Sequence, residues 1–432
     1  MPLPEPPVPS AAAVAARAAR AARAARADAD ATAAGRSAVP AGPGLSPRLT
    51  LLFAVACGLC VANLYFAQPL VGPIAETLRL HAGMAGLVVT LTQLGYGTGL
   101  LLLVPLADVV ENRRLILVAM AGAVLGLAGV ALSNSAATFL GASFVVGLCA
   151  VAAQVLVPFA SHLAPEAGRG RVVGNIMGGL IAGIMLARPF SSLVASAFGW
   201  RAVFAVSALL MTVLIVVLWR ALPRRVPHGT IGYARTMASL PGIAWRTPLL
   251  QRRGFYQGML FAGFQAFWTA VPLLLAHEFG LGQGGIALFA LAGAAGALAA
   301  PWAGRLADRG LTRPATGAAI GAALLSFVIG AVSVHFHSLA GLVLAGILLD
   351  GAVQLCQVLN LRSLYMLAPE LRGRLNGLFM TFIFLCAAVA SGVSAAIYAF
   401  HGWSGVCLMG GALALAAGVL FLSDRAARAP GA

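Results

Sequence analysis

Two ionisable residues sit where an apolar helix should carry none. Asp350 interrupts the run Gly346 to Asn360, GILLDGAVQLCQVLN, and Arg188 interrupts Gly174 to Ser192. A charged side chain near the middle of a bilayer is expensive, so each marks a functional site by default. Of the 12 acidic residues, Glu5, Asp28 and Asp30 lie in the N-terminal stretch and Glu76 and Glu278 at one end of an apolar run. Asp108, Glu111, Glu166, Asp308, Glu370 and Asp424 lie at the other end, which leaves Asp350 alone at mid-depth. A proton-driven exchanger needs a buried group whose proton affinity differs between two surroundings, and Asp350 is the candidate. For Arg188 three roles stay open. Paired permanently with Asp350, it keeps the carboxylate ionised; paired in one conformation only, it ejects the proton. Alternatively it snorkels outward or holds a substrate carboxylate.

Uncharged polar residues gather around the same depth. Asn63, Gln68, Gln154, His162, Gln257, Gln265, Gln354, Gln357 and Asn360 fall on every third apolar segment, the first, fourth, seventh and tenth. Positions 350, 354, 357 and 360 project at roughly 0, 40, −20 and −80 degrees on a helical wheel, one polar stripe suited to a cavity wall. Tyr65, Phe66, Phe159, Tyr256, Phe261, Phe264, Phe267 and Trp268 share these segments. Amides combined with aromatic faces suit an uncharged or amphipathic organic molecule. The expected substrate cavity is therefore Asn63, Tyr65, Gln68, Gln154, His162, Tyr256, Gln257, Gln265, Trp268, Gln354, Gln357 and Asn360. Isolated interhelical hydrogen bonds, worth about 0.6 kcal/mol each, account for Gln93, Asn175 and Asn376.

The elements that must hold these residues follow from composition. The 432 residues are 60% hydrophobic and 9% charged, with mean hydropathy +0.94, far from a soluble domain's charged fraction of about 25%. Apolar runs of about 20 residues fit helices crossing roughly 30 Å of hydrocarbon, and the short alternation of barrel strands is absent. Breaks at polar, Gly and Pro clusters give twelve segments, beginning near residues 48, 84, 113, 136, 170, 201, 251, 284, 314, 339, 373 and 403. All 28 basic residues are arginine, concentrated in the loops after even-numbered segments, while the opposite loops hold only Arg79 and Arg201. That bias places both termini in the cytoplasm. The +16 net charge then reports topology and an anionic leaflet, with no nucleic-acid partner. Residues 1–47, Ala/Arg-rich and without an apolar signal core, read as a disordered cytoplasmic tail. The six cysteines fall within spans, and Cys57 and Cys60 read as small buried residues.

The two halves repeat. Pro105-Leu-Ala-Asp108 with Arg113 recurs as Gly304-Arg-Leu-Ala-Asp308 with Arg313, at an offset of 200. Pro165-Glu166, Arg169, Arg171 and Gly174 recur as Pro369-Glu370, Arg372, Arg374 and Gly377, and Gly199-Trp200 recurs as Gly402-Trp403. Six spans per repeat give both halves one orientation, related by an axis along the membrane normal. The organisation is thus a tail (1–47), a six-helix half (48–222), a linker (223–250), a second six-helix half (251–424) and a short tail (425–432). The paired loops resemble the signature G-x-L-x-D-R-x-G-R-R of the major facilitator superfamily. The second copy matches at Gly304, Leu306, Asp308, Arg309 and Arg313; the first keeps Leu106, Asp108, Arg113 and Arg114 but has Pro105, Val109 and Glu111. Ala62 to Tyr65 with Gln68-Pro69, and Asp350 with Gln354 and Asn360, are similar to bacterial arabinose-efflux and multidrug exporters. Gly174 to Ser192 is a degenerate echo of the fifth-helix motif of the superfamily's antiporters.

The resemblance implies an all-α fold of twelve transmembrane helices in a bacterial inner membrane. A carboxylate among arginines at a helix end can close a gate that breaks when the halves rock apart. Asp108 with Arg113 and Arg114, and Asp308 with Arg309 and Arg313, are the expected cytoplasmic gates. His335 and His337 supply too few ligands for a metal, and no Walker loop, nucleophile elbow or H-E-x-x-H occurs, so neither enzyme nor cofactor is expected. The expected function is a monomeric, proton-coupled antiporter exporting a small organic compound. The alternatives are a proton-coupled importer of a sugar or metabolite, or a non-transporting membrane sensor on a transporter fold.

Overall fold

The computed structural model describes residues 46–165, 168–226, 232–367 and 371–426. The Ala/Arg-rich tail before Ser46, the repeat landmarks Glu166, Pro369 and Glu370, and the C-terminal tail beyond residue 426 lie outside the described residues. Where it is described, the chain is helical throughout.

Nine described helices are long and apolar enough to cross a membrane: Leu87–Asp108, Asn112–Ala131, Ala136–Leu163, Arg169–Phe198, Trp200–Ala221, Pro248–His277, Thr312–His335, Leu339–Tyr365 and Arg372–Ser423. The last carries two crossings joined at Gly402. Two interrupted crossings complete the set of twelve. Segment 1 is Pro47–Ala62 continued through Gln68–Leu70 into Val71–Thr77, and segment 8 is Gln283–Gly293 continued through Ala294–Ala299 into Ala300–Asp308. The others are numbered in chain order, from segment 2 at Leu87–Asp108 to segments 11 and 12 on either side of Gly402.

Local chemistry sets several boundaries. Ser46 accepts from Leu49 N–H with Pro47 in the first turn of segment 1, and Ser135 and Thr138 form a capping box on segment 4. The repeated Gly-Trp landmarks are turns. Gly199 has φ 80° and Gly402 has φ 62°, a left-handed conformation that costs a residue with a Cβ, and each reverses the chain between two antiparallel crossings. The tryptophans that follow anchor the turns: Trp200 Nε1 donates to Thr77 Oγ1 at 3.1 Å and Trp403 Nε1 to the Gly330 carbonyl at 3.0 Å.

Within the first half, segment 1 crosses segment 5 at Gly58, Gly179 and Gly183, where a Cβ on any of the three would collide with the facing backbone. Small residues allow this approach, the usual means of helix packing in lipid. Between the halves, segment 2 packs on 11, segment 5 on 8, and segment 1 on 7. Large apolar side chains such as Leu125, Leu132, Leu209 and Val419 are exposed on the perimeter, as a lipid-facing surface requires. The linker contains a further helix, Tyr233–Arg246, on the arginine-rich face. It straps the halves together: Tyr233 Oη donates to the Leu102 carbonyl at 3.0 Å, and Arg374 Nη1 donates to Ser239 Oγ at 3.4 Å.

Candidate functional site

Segments 1, 5, 7 and 10 meet in a buried polar cluster. Trp268 on segment 7 donates its indole N–H to Asp350 Oδ1 on segment 10 at 2.7 Å. The guanidinium carbon of Arg188 stands 4.2 Å from the Trp268 ring centre, 5.1 Å from Phe264 and 5.3 Å from Tyr65. Arg188 Nε donates to Gln68 Oε1 at 2.7 Å, and Gln68 Nε2 donates to Gln265 Oε1 at 2.8 Å, across the boundary between the halves. Arg188 is 3% exposed and Asp350 6%, while Gln68 and Gln265 are fully buried. The cation and the carboxylate form no direct salt bridge; both contact Trp268, the carboxylate at its N–H and the guanidinium on its ring face. A desolvated guanidinium over an indole gains about 2 kcal/mol, and an anion on the indole N–H polarises the ring in the favourable sense. Burial at this depth removes the snorkelling role for Arg188.

Neighbouring backbone fixes the cluster. Ser191 Oγ donates to the Phe66 carbonyl at 2.6 Å, tying segment 5 to segment 1 beside Gln68. On segment 8, a Cβ added to Gly296 would sit 2.6 Å from Asp350 Cβ, so glycine lets that segment close over the carboxylate's flank. Two donors in the cluster, Arg188 Nη2 and Gln265 Nε2, are buried without a hydrogen-bond partner. Each such orphan costs about 1–3 kcal/mol, more for a charged group.

Above this cluster the face opposite the arginine loops is shut. Thr90 Oγ1 on segment 2 donates to the Ala388 carbonyl on segment 11 at 3.1 Å, and Gly86 lies against the Ser391 carbonyl. On the arginine-rich side a cavity of about 200 Å³ lies between segments 2, 4, 11 and the linker helix. Its lining includes Asp108, Gln154, Phe159, His162, Arg225 and Arg374. Gln154 Nε2 donates to Tyr96 Oη at 3.0 Å, and the Tyr96 ring packs edge-on against Phe384 with centroids 4.5 Å apart.

The expected cavity residues therefore divide. Gln154 and His162 line the cavity. Tyr65, Gln68, Gln265 and Trp268 are sealed in the closed cluster. Asn63 turns away toward segment 6, where its Oδ1 accepts from Ser207 Oγ at 2.6 Å. Tyr256 packs against Phe421 of segment 12. Gln257 Nε2 donates to the Val353 carbonyl at 3.3 Å, and Asn360 bonds Gln257 at 3.4 Å and Arg253 at 3.2 Å, so this pair joins helices of the second half. The tenth-segment stripe keeps Gln354 and Gln357 half-buried and loses Asn360 to the helix interface. The gate pairings also shift. Asp308 pairs with Arg362 at 2.6 Å, not with Arg309 or Arg313; Arg313 lies over Phe421. Arg113 donates to the Trp219 carbonyl, Arg114 is exposed, and Asp108 faces the cavity. Arg225 and Arg374 were missed as cavity residues, because both belong to loops read only for topology.

Residues 50–355 and 253–432 match the sequence profile of the Major Facilitator Superfamily. The uncharacterized transporter YgaY of Escherichia coli O157:H7 is 40% identical over 372 residues, 86% of this chain and 94% of that protein. Probable transporter SCO4007 of Streptomyces coelicolor is 33% identical over 389 residues, 86% of this chain and 87% of that protein. A more distant relative, the purine ribonucleoside efflux pump NepI of Salmonella paratyphi A, is 24% identical over 57% of this chain and 61% of its own. The crystal structure of the nucleoside transporter NupG (D323A mutant) superposes with a TM-score of 0.72 at 14% identity, covering 87% of this chain and 99% of that one, a likeness of fold alone.

Proposed function

This chain belongs to the Major Facilitator Superfamily and is a multi-pass membrane transporter, and from that premise we propose that it exports a small organic compound in exchange for protons. The observation that carries the reading is Asp350: an acid at mid-depth, 6% exposed, held by an indole N–H and left without an ion-pair partner. A carboxyl free of a fixed counter-ion can take and release a proton as its surroundings change. The arginine-rich face is the cytoplasmic one by the positive-inside rule, with both termini there. The described conformation then faces inward: the cavity at Gln154 and His162 admits substrate from the cytoplasm, and the cluster around Gln68 and Gln265 bars the outer side. Rocking of the two six-helix halves breaks those bonds and exposes the site outward. The distant relative NepI is an efflux pump, which supports outward transport.

The test is substrate-driven proton flux in vesicles with an imposed pH gradient, screened over organic compounds. Asp350→Asn abolishes flux if Asp350 carries the proton; unchanged flux sinks the coupling. Accumulation running with the protons would instead make the protein an importer.

A further inference from the structure

Trp268 holds a position that neither proton binding nor the substrate cavity requires. Its N–H reaches Asp350 on segment 10, and its π face meets Arg188 on segment 5, in the opposite half. The ring's attraction for a cation is electrostatic, so it depends on the charge at the indole N–H. An ionised carboxylate there makes the π face more negative, and a neutral carboxyl does so far less. The direct attraction of Asp350 for Arg188 has the same sign. The charged and titratable groups acting on Asp350 are Arg188 on segment 5 and Tyr65 on segment 1; segment 8 meets it with Gly296, which does not titrate.

We infer that Trp268 is a positioning residue that couples the charge of Asp350 to the seal between the halves. With Asp350 ionised, Trp268 grips Arg188, and Arg188 holds Gln68 against Gln265. With a proton on Asp350 the grip loosens and the halves are free to part. This rests on Asp350 as the proton site, and it adds a direction. A deprotonated, empty carrier is locked with its cavity toward the arginine-rich face. A symporter must return empty and deprotonated through that lock, whereas an exchanger has substrate to break it, so the lock's sign favours exchange.

The test needs no identified substrate. Hydrogen exchange is measured on the full-length protein in nanodiscs at a fixed alkaline pH, following residues 85–92 and 388–395 at the sealed face. Asp350→Asn and Trp268→Phe should each raise exchange there about threefold to tenfold, and the double variant should match the single ones. Multiplying effects in the double variant, or wild-type protection in Trp268→Phe, overturns the inference. Should Trp268→Phe misfold, Arg188→Gln replaces it: Asp350→Asn must then add nothing on that background, and a further rise overturns the inference equally. The proton-flux assay separates the two readings. Independent effects alongside flux abolished by Asp350→Asn remove the Trp268 coupling alone, while flux unchanged by Asp350→Asn removes the proton site itself.

Discussion

The two glutamines that close the seal are not equivalent, and their leucine variants should differ sharply. Gln265→Leu removes the acceptor of Gln68 Nε2, leaving one buried N–H unpaired at about 1–3 kcal/mol in the closed state. It also removes Gln265 Nε2, already an orphan of similar cost, so the two terms nearly cancel. Gln68→Leu has no such relief. It strands Arg188 Nε, a charged donor bonded at 2.7 Å, together with Gln265 Oε1. In the open state water reaches all of these groups, so the penalty falls on the closed state alone. A net shift of about 2 kcal/mol moves the equilibrium toward the open form about 30-fold. Spin labels at positions 134 and 336, both on loops at the sealed face and in opposite halves, report the separation on a background lacking the six cysteines. Gln68→Leu should populate a long-distance species that Gln265→Leu does not. Equal distributions in the two variants, or a larger opening in Gln265→Leu, would refute the assignment of this chain of bonds as the seal.

Other positions test other parts of the structure. Gly183→Leu drives a side chain into the backbone at Gly58, and overpacking of this kind costs about 1–3 kcal/mol or more; thermal unfolding in detergent should show a clear loss, with Gly183→Ala intermediate. Ser207→Ala leaves Asn63 Oδ1 without its donor and should lower stability by about 1–3 kcal/mol while leaving the substrate range unchanged. Gln154→Ala should alter apparent substrate affinity in counterflow, because its side chain is half-buried at the cavity. Asp308→Asn should change stability by less than about 1 kcal/mol, since its pair with Arg362 is 68% and 44% exposed.

The crossings were legible because their determinants are local: run length, Gly-Trp turns and arginine placement all lie within a few residues of each boundary. Asp350 was legible for the same reason, since no second residue is needed to see that an acid there is costly. What period and composition do not give is azimuth. Asn63 and Gln68 are five residues apart on one segment, yet the chain between them is irregular, so a regular wheel misplaces one against the other and Asn63 turns to Ser207. Asn360 fails differently. It stays on the stripe, but segment 10 meets segment 7 at that level, and Gln257 claims its amide. The linker helix was hidden by its own composition, since a basic stretch with Pro241 reads as a connector until Tyr233 and Ser239 are seen bonded to the two halves. Arg362 lies 54 residues from Asp308, and nothing in the sequence singles it out from the arginines nearer by.

Two opposite charges in one membrane interior here share a ring, the guanidinium on its face and the carboxylate at its N–H. Removing one partner from a buried, hydrogen-bonded ion pair costs about 3–5 kcal/mol, and a transporter that parted such a pair on every cycle would meet that barrier each time. A cation over an aromatic face is held by about 0.5–2 kcal/mol, strong enough to bias a conformation and weak enough to release it. Arg188 still acts on Asp350 electrostatically, but through no direct salt bridge. The same geometry that weakens the contact makes it easier to part, which an intimate ion pair at this depth would resist.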